Sequence, residues 1–163
     1  MRRPSFAAAW RAAMRIYSPS DPDEKVAMIV GGWAAKNIHS TDPTLRWSNT
    51  CVVRMSYILH QCGLPIPALA QQTVSGADGR QYFFRIEDIR RFFLQRWGPS
   101  EASLHPQHTG LPAVAEQGVI VFETSGWNDA RGHVSLVRNG SCYDHGHFDA
   151  GPGANYRVDR LSF

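Results

Sequence analysis

The dipeptide Asn139-Gly140 constrains this chain more than any other feature. It lies between two runs that read as strands, Gly132 to Arg138 and Ser141 to Asp144. A two-residue hairpin of type I′ needs left-handed backbone at both central positions, and Asn-Gly supplies it at little cost. With the turn length set, the register follows. Arg138 faces Ser141, Val137 faces Cys142, and Ser135 faces Asp144. Side chains at 133, 135 and 137 then share a face with those at 142, 144 and 146, so Asp144 is a diagonal neighbour of His133. His145 points to the other face.

Before this hairpin, Gly118 to Glu123 is an apolar run rich in β-branched residues and reads as a strand. Turn residues Ser125 to Arg131 follow it, and Tyr156 to Phe163 adds a last strand. The first half of the chain reads differently. Phe6, Ala9, Trp10, Ala13, Met14 and Tyr17 repeat at helical spacing, with Ser5 as N-cap. A short helix covers Asp23 to Val30. Trp33 to Asn49 reads as a loop with Asn37, Asp42, Pro43 and Asn49 as turn formers. A helix runs from Thr50 to Gln61 with Met55, Ile58, Leu59 and Cys62 on its apolar face, closed by Gly63 and Pro65. Pro65 to Gly79 reads as irregular, Gln81 to Arg85 as a short strand, and Glu87 to Trp97 as a helix stopped by Gly98-Pro99. Ser100 to Pro112 is a loop carrying His105 and His108. Helices first and an antiparallel sheet afterward is an α+β order. A chain of 163 residues is expected to form one domain, 1–163.

The chemistry starts at Cys51, where a polar stretch, Trp47-Ser48-Asn49-Thr50, gives way to the apolar helix. Unpaired N–H groups and the positive end of the dipole favour thiolate at such a helix start. His133, on a strand, supplies an imidazole, and Asp144 a carboxylate to hold it. Nucleophile, base and orienting acid are what a papain-like cysteine hydrolase needs. Taken singly, each has a plainer explanation: a small buried hydrophobe, a satisfied histidine, a turn residue. The hairpin register brings two of them together independently of the cysteine. Cys62, near a helix C-terminus, reads as core, and Cys142 as packing or redox-linked. Cys142, Asp144, His145 and His147 form a rival cluster for zinc. The spacing matches no common site, and Cys142 and His145 fall on opposite faces, so no metal is expected.

The overall balance excludes some classes. A formal charge of +3 arises from scattered Lys and Arg with no nucleic-acid-binding stripe. No stretch approaches the roughly 18 apolar residues of a membrane helix. Met1 to Ser5 leads into no apolar run with a cleavage site, so no secretory signal is expected. Three cysteines make no disulfide framework.

Several segments in order carry a family resemblance. They are Arg3-Pro4-Ser5-Phe6 with Trp10, Gly31-Gly32 with Lys36-Asn37-Ile38, Asn49-Thr50-Cys51 with Arg54-Met55-Ser56-Tyr57, and Gly63-Leu64-Pro65-Ile66-Pro67. Thr73-Val74-Ser75-Gly76-Ala77-Asp78, Arg85-Ile86-Glu87-Asp88, Gly132-His133-Val134 and Cys142-Tyr143-Asp144 complete the match. The chain resembles the fourth family of type VI secretion amidase effectors, papain-like peptidoglycan hydrolases related to NlpC-type cysteine peptidases. The resemblance implies a cysteine helix packed on an antiparallel sheet, with Cys51 as nucleophile, His133 as general base and Asp144 as orienting acid. It implies no cofactor. The implied substrate is the peptidoglycan stem peptide, cut between γ-D-glutamate and meso-diaminopimelate. Implied partners are a cognate immunity protein and the type VI secretion apparatus, with synthesis in the cytoplasm and action in the periplasm of a target cell. Neither nucleic acid nor membrane insertion is expected. Trp47, Asn49, Arg54, Trp127 and Arg131 are candidates for holding a carboxylate-rich substrate, with Arg46 as a further cation. One departure stands out. The family's second loop cysteine, two positions after the acid, is Gly146 here, so the bridge from Cys142 cannot form. Competing readings are a non-catalytic cell-wall or protein-binding module and a papain-like deamidase of a protein substrate.

Overall fold

The computed structural model describes residues 3–101, 103–104, 117–125, 132–144 and 157–162. The chain forms two compact units, Arg2–Ile89 and Arg90–Phe163.

In the first unit, helix α1 (Phe6–Ile16) buries Ala9, Ala12, Ala13 and Ile16. Its small residues let neighbouring backbone approach closely. Ser5 stands at the N-cap position without a side-chain cap. Helix α2 (Pro22–Val30) is started by Asp21, whose Oδ1 accepts the Glu24 N–H at 3.2 Å, with Pro22 in the first turn where no N–H is needed. Helix α3 (Gly32–Ile38) corrects the expectation of a loop from Trp33 to Asn49. Seven residues are too few to show a periodic stripe. Packing of Ala34 and Ile38 into a core with Ile16, Val26, Val30, Val53 and Tyr82 holds it.

Helix α4 (Cys51–Gln61) ends as its sequence dictates. The Gly63 N–H reaches the His60 carbonyl at 3.1 Å and the Leu64 N–H reaches Leu59 at 2.9 Å, a Schellman motif. Met55, Ile58 and Leu59 are buried, as the stripe predicts, whereas Cys62, expected in the core as well, is half-buried because it lies beyond the last helical turn. Ser56 donates back to the Val52 carbonyl at 2.9 Å and accepts the Phe83 N–H at 3.0 Å, tying α4 to strand β2. Strand β1 (Thr73–Ser75) pairs antiparallel with β2 (Gln81–Phe83), Thr73 opposite Phe83. The sequence reads as irregular at β1 because three residues are too few to stand out as a strand within the Pro/Gly-rich stretch from Pro65 to Gly79. Between α2 and this hairpin the backbones nearly touch: the Ala77 N–H donates to the Val30 carbonyl at 2.8 Å. Helix α5 (Ile86–Trp97) starts in this unit and ends in the second, burying Ile86, Ile89 and Phe92.

The second unit holds a five-stranded antiparallel sheet made of β3 (Ser103–Leu104), β4 (Gln117–Ser125), β5 (Gly132–Arg138), β6 (Ser141–Cys142) and β7 (Arg157–Ser162). Its order is β3-β7-β4-β5-β6. The α+β architecture expected from the sequence is the one observed. The last strand inserts beside β4, with a bulge between Glu123 and Thr124. Asn139 and Gly140 take φ of 50° and 77°, both left-handed as the hairpin requires. The pairing is Val137 with Cys142 and Arg138 with Ser141, matching the derived register.

Candidate active site

Cys51 is the first residue of α4, and three polar neighbours fix it there. Thr50 occupies the N-cap, but its hydroxyl donates to Asp23 Oδ1 on α2 at 2.7 Å instead of capping. Asn49 takes over the local role, its Oδ1 accepting the Cys51 N–H at 3.1 Å. Cys51 itself is only 1% exposed, with Val52 and Val53 buried beside it. The sequence marks Asn49 as a turn former and a candidate substrate contact and gives Asp23 no role; the bond to the N–H two residues on is the turn-forming one. The Asp23–Thr50 bond joins residues 27 apart, which no local pattern reveals.

The histidine half of the set lies wholly in the second unit. His133 Nε2 is 2.9 Å from Asp144 Oδ2, and the Asp144 side chain is completely buried. A carboxylate only accepts, so Nε2 carries the hydrogen and Nδ1 keeps the basic lone pair. The diagonal contact derived from a two-residue turn is therefore present. Phe122, directly opposite His133 in the β4–β5 register, packs its ring 5.9 Å from the imidazole at 40°. Ser135 donates to Asp144 Oδ1 at 2.7 Å. Sequence reasoning puts Ser135 opposite Asp144 and assigns it nothing; the register itself is the signal that finds it.

The three cysteines are all free thiols. Burial pushes the Cys142 thiol up to about 12, nearby Asp144 adds to this, and a Ser135 hydrogen bond opposes it. Burial also raises Cys62, against an opposing pull from Arg11. Neither is a thiolate at neutral pH, so neither competes as nucleophile. The Cys142 shift carries a stability prediction. In the unfolded chain this thiol ionises near its ordinary value, so between about pH 9 and 12 the unfolded state binds fewer protons. The stabilising difference is full below pH 9 and is lost as pH climbs toward 12. Urea unfolding at pH 7 and pH 10.5 should show a shallower loss of stability for Cys142→Ala than for the parent; equal slopes would refute the shift.

Trp47 stacks on Phe84, ring centroids 5.1 Å apart and 14° from parallel, packed against the first unit's core. Arg54 is buried, with its guanidinium 5.3 Å from the Tyr17 ring. Both thus make packing contacts within their own unit, while Arg46 is exposed. Trp127, Arg131, His105, His108, His145, Gly146 and His147 lie outside the described residues. No group of three metal-ligating side chains occurs among the described residues, and no helix among them is long and apolar enough to cross a membrane.

The family model described as type VI secretion system (T6SS), amidase effector protein 4 (Tae4) matches residues 47–155. No curated protein sequence matches the chain. Among solved structures, the chain is similar to the Tae4–Tai4 effector–immunity complex from Enterobacter cloacae, at 33% identity and a TM-score of 0.83 over 99% of this chain and 98% of that one. The Enterobacter cloacae Tae4 effector alone gives 33% identity and a TM-score of 0.81, over 99% and 96%. Tae4 from Salmonella typhimurium, in complex with the Enterobacter cloacae immunity protein Tai4, gives 31% and 0.80 over 98% and 97%. The family match, the coverage of both chains and the shared fold establish that this chain belongs to the Tae4 family of type VI secretion amidase effectors.

Proposed function

We propose that this protein is a cysteine amidase that cuts peptidoglycan stem peptides between γ-D-glutamate and meso-diaminopimelate. The thiolate of Cys51 attacks the amide carbonyl, and His133 holds the proton as imidazolium. The ring then protonates the leaving amine. Water, deprotonated by the same ring, releases the acyl-enzyme. Asp144 keeps Nε2–H engaged so that Nδ1 handles the proton. The observation that carries this reading is the His133–Asp144 pair, 2.9 Å apart and supported on a buried carboxylate. A histidine that merely filled a strand position has no need of a wholly buried acid.

The Cys51 N–H is the donor for the developing oxyanion, and Asn49 Oδ1 accepts from it at 3.1 Å. The substrate oxygen exchanges with the Asn49 carbonyl for that N–H, and a donor from the Trp47–Asn49 loop completes the hole. No metal or organic cofactor takes part. Relatives solved as effector–immunity complexes support a cognate immunity protein for this chain too. In keeping with the family, delivery is by type VI secretion, with action in the periplasm of the target cell.

Digestion of Gram-negative sacculi, with fragments identified by mass spectrometry, tests the proposal. The expected products are stem fragments ending in γ-D-glutamate and fragments beginning at diaminopimelate. Intact stems after prolonged digestion would remove the wall as substrate, leaving the binding-module and protein-deamidase readings.

A further inference from the structure

We propose that Ser135 is a positioning residue whose hydroxyl, acting through Asp144, fixes the tautomer and orientation of His133. This rests on the reading of His133 as the base. The Asp144 side chain has no exposure at all, so each of its oxygens needs a donor or the carboxylate pays the cost of burial. His133 serves Oδ2 at 2.9 Å and Ser135 serves Oδ1 at 2.7 Å. The Ser135 hydroxyl has one proton. It has two competing acceptors, the Leu136 carbonyl at 3.3 Å and the sulfur of Cys142. Sulfur in a protonated thiol accepts weakly, and the short bond to a charged oxygen prevails over both.

The placement of Ser135 makes the same point. It is fully buried in β5 between Val134 and Leu136, which are fully or almost fully buried themselves. An apolar residue would serve packing there at lower cost, because a buried hydroxyl is favourable only when bonded. Strand alternation aims it at the face that carries His133 and Asp144, so its direction is set before any substrate arrives. Phe122 limits tilt of the imidazole by packing against it, but a hydrocarbon ring cannot choose which nitrogen bears hydrogen. With Oδ1 tethered, the carboxylate cannot swing about its last torsion. Oδ2 then stays on Nε2–H, and the lone pair stays on Nδ1.

The test reads the ring directly. Nitrogen-15 NMR of neutral His133 should show the Nε2–H tautomer alone in the parent and a mixture in Ser135→Ala. On muropeptides, kcat should fall about tenfold to a hundredfold, with KM moving by no more than about twofold. In an Asp144→Ala background, adding Ser135→Ala should change kcat by less than about twofold, whereas an independent structural role would add its full cost. If Ser135→Ala does not fold, Ser135→Cys replaces it. Its weak S–H donor should give the same tautomer mixing and a smaller fall in kcat. An unchanged tautomer population overturns the proposal, as does an unchanged kcat when the parent cleaves. A parent that does not cleave fails the amidase reading alone, because the tautomer measurement needs no substrate.

Discussion

Cys51→Ala should lower muropeptide cleavage by about ten-thousand-fold or more while costing only about 1 kcal/mol of stability, the loss of one buried sulfur. Removing the nucleophile leaves only binding and oxyanion stabilisation, and in comparable nucleophile–base systems that residue of catalysis is small. Three features support attributing such a loss to chemistry. Cys51 is the first residue of its helix, where no intrahelical bond depends on its side chain. The bonds that fix the local backbone come from Asn49 and from the Thr50–Asp23 pair. The other thiols are held protonated by burial and cannot substitute. Product release measured by chromatography, beside a melting curve, checks both halves. Cys62→Ala, made in parallel, should cleave within about twofold of the parent. Residual activity of a tenth or more in Cys51→Ala would show that another group attacks.

The largest effect on stability should come from Gly32→Ala, at about 3 kcal/mol. Gly32 begins α3 with φ of +59°, and an added Cβ would sit 2.5 Å from the Gly76 carbonyl carbon and 2.7 Å from Ala77 N and Ser75 O. All three are backbone atoms, so no side chain can turn aside to make room. The left-handed backbone costs an L residue about 1 kcal/mol. Forcing the β1 segment away from α3 adds about 1–3 kcal/mol. It also strains the Ala77–Val30 hydrogen bond next to it. Against a total stability of about 5–15 kcal/mol this is a large fraction. Urea titration should move the midpoint down with an unchanged slope. A loss below about 1 kcal/mol would mean that the two segments part easily.

What could be seen from residues alone follows physical lines. The hairpin was legible because Asn139-Gly140 allows one turn geometry, and that geometry predicts the His133–Asp144 contact. Helix α4 was legible at both ends, from the polar-to-apolar change at Cys51 and from Gly63 after its last turn. Helix α3 was not, because its stability comes from Ala34 and Ile38 meeting residues distant in sequence. Strand β1 was hidden for a similar reason: its partner supplies the pairing, and its own three residues are too few to stand out in a Pro/Gly-rich stretch. Asn49 was legible as a turn former, since its side chain accepts the N–H two residues on, but the sequence does not say that this N–H belongs to Cys51's own helix start. Ser135 was visible in the register, but only the burial of Asp144 gives its hydroxyl a purpose.

The two-residue turn at 139–140 has a consequence for how this protein can be disarmed. Both residues are exposed, so the turn tolerates exchanges that preserve its shape. A single added codon is another matter. It would slip the register of the segment after the turn by one residue, carrying the carboxylate from the imidazole's face to the reverse side of the ribbon. Drift at this spot is therefore confined to residues that accept left-handed backbone and is rigid in length.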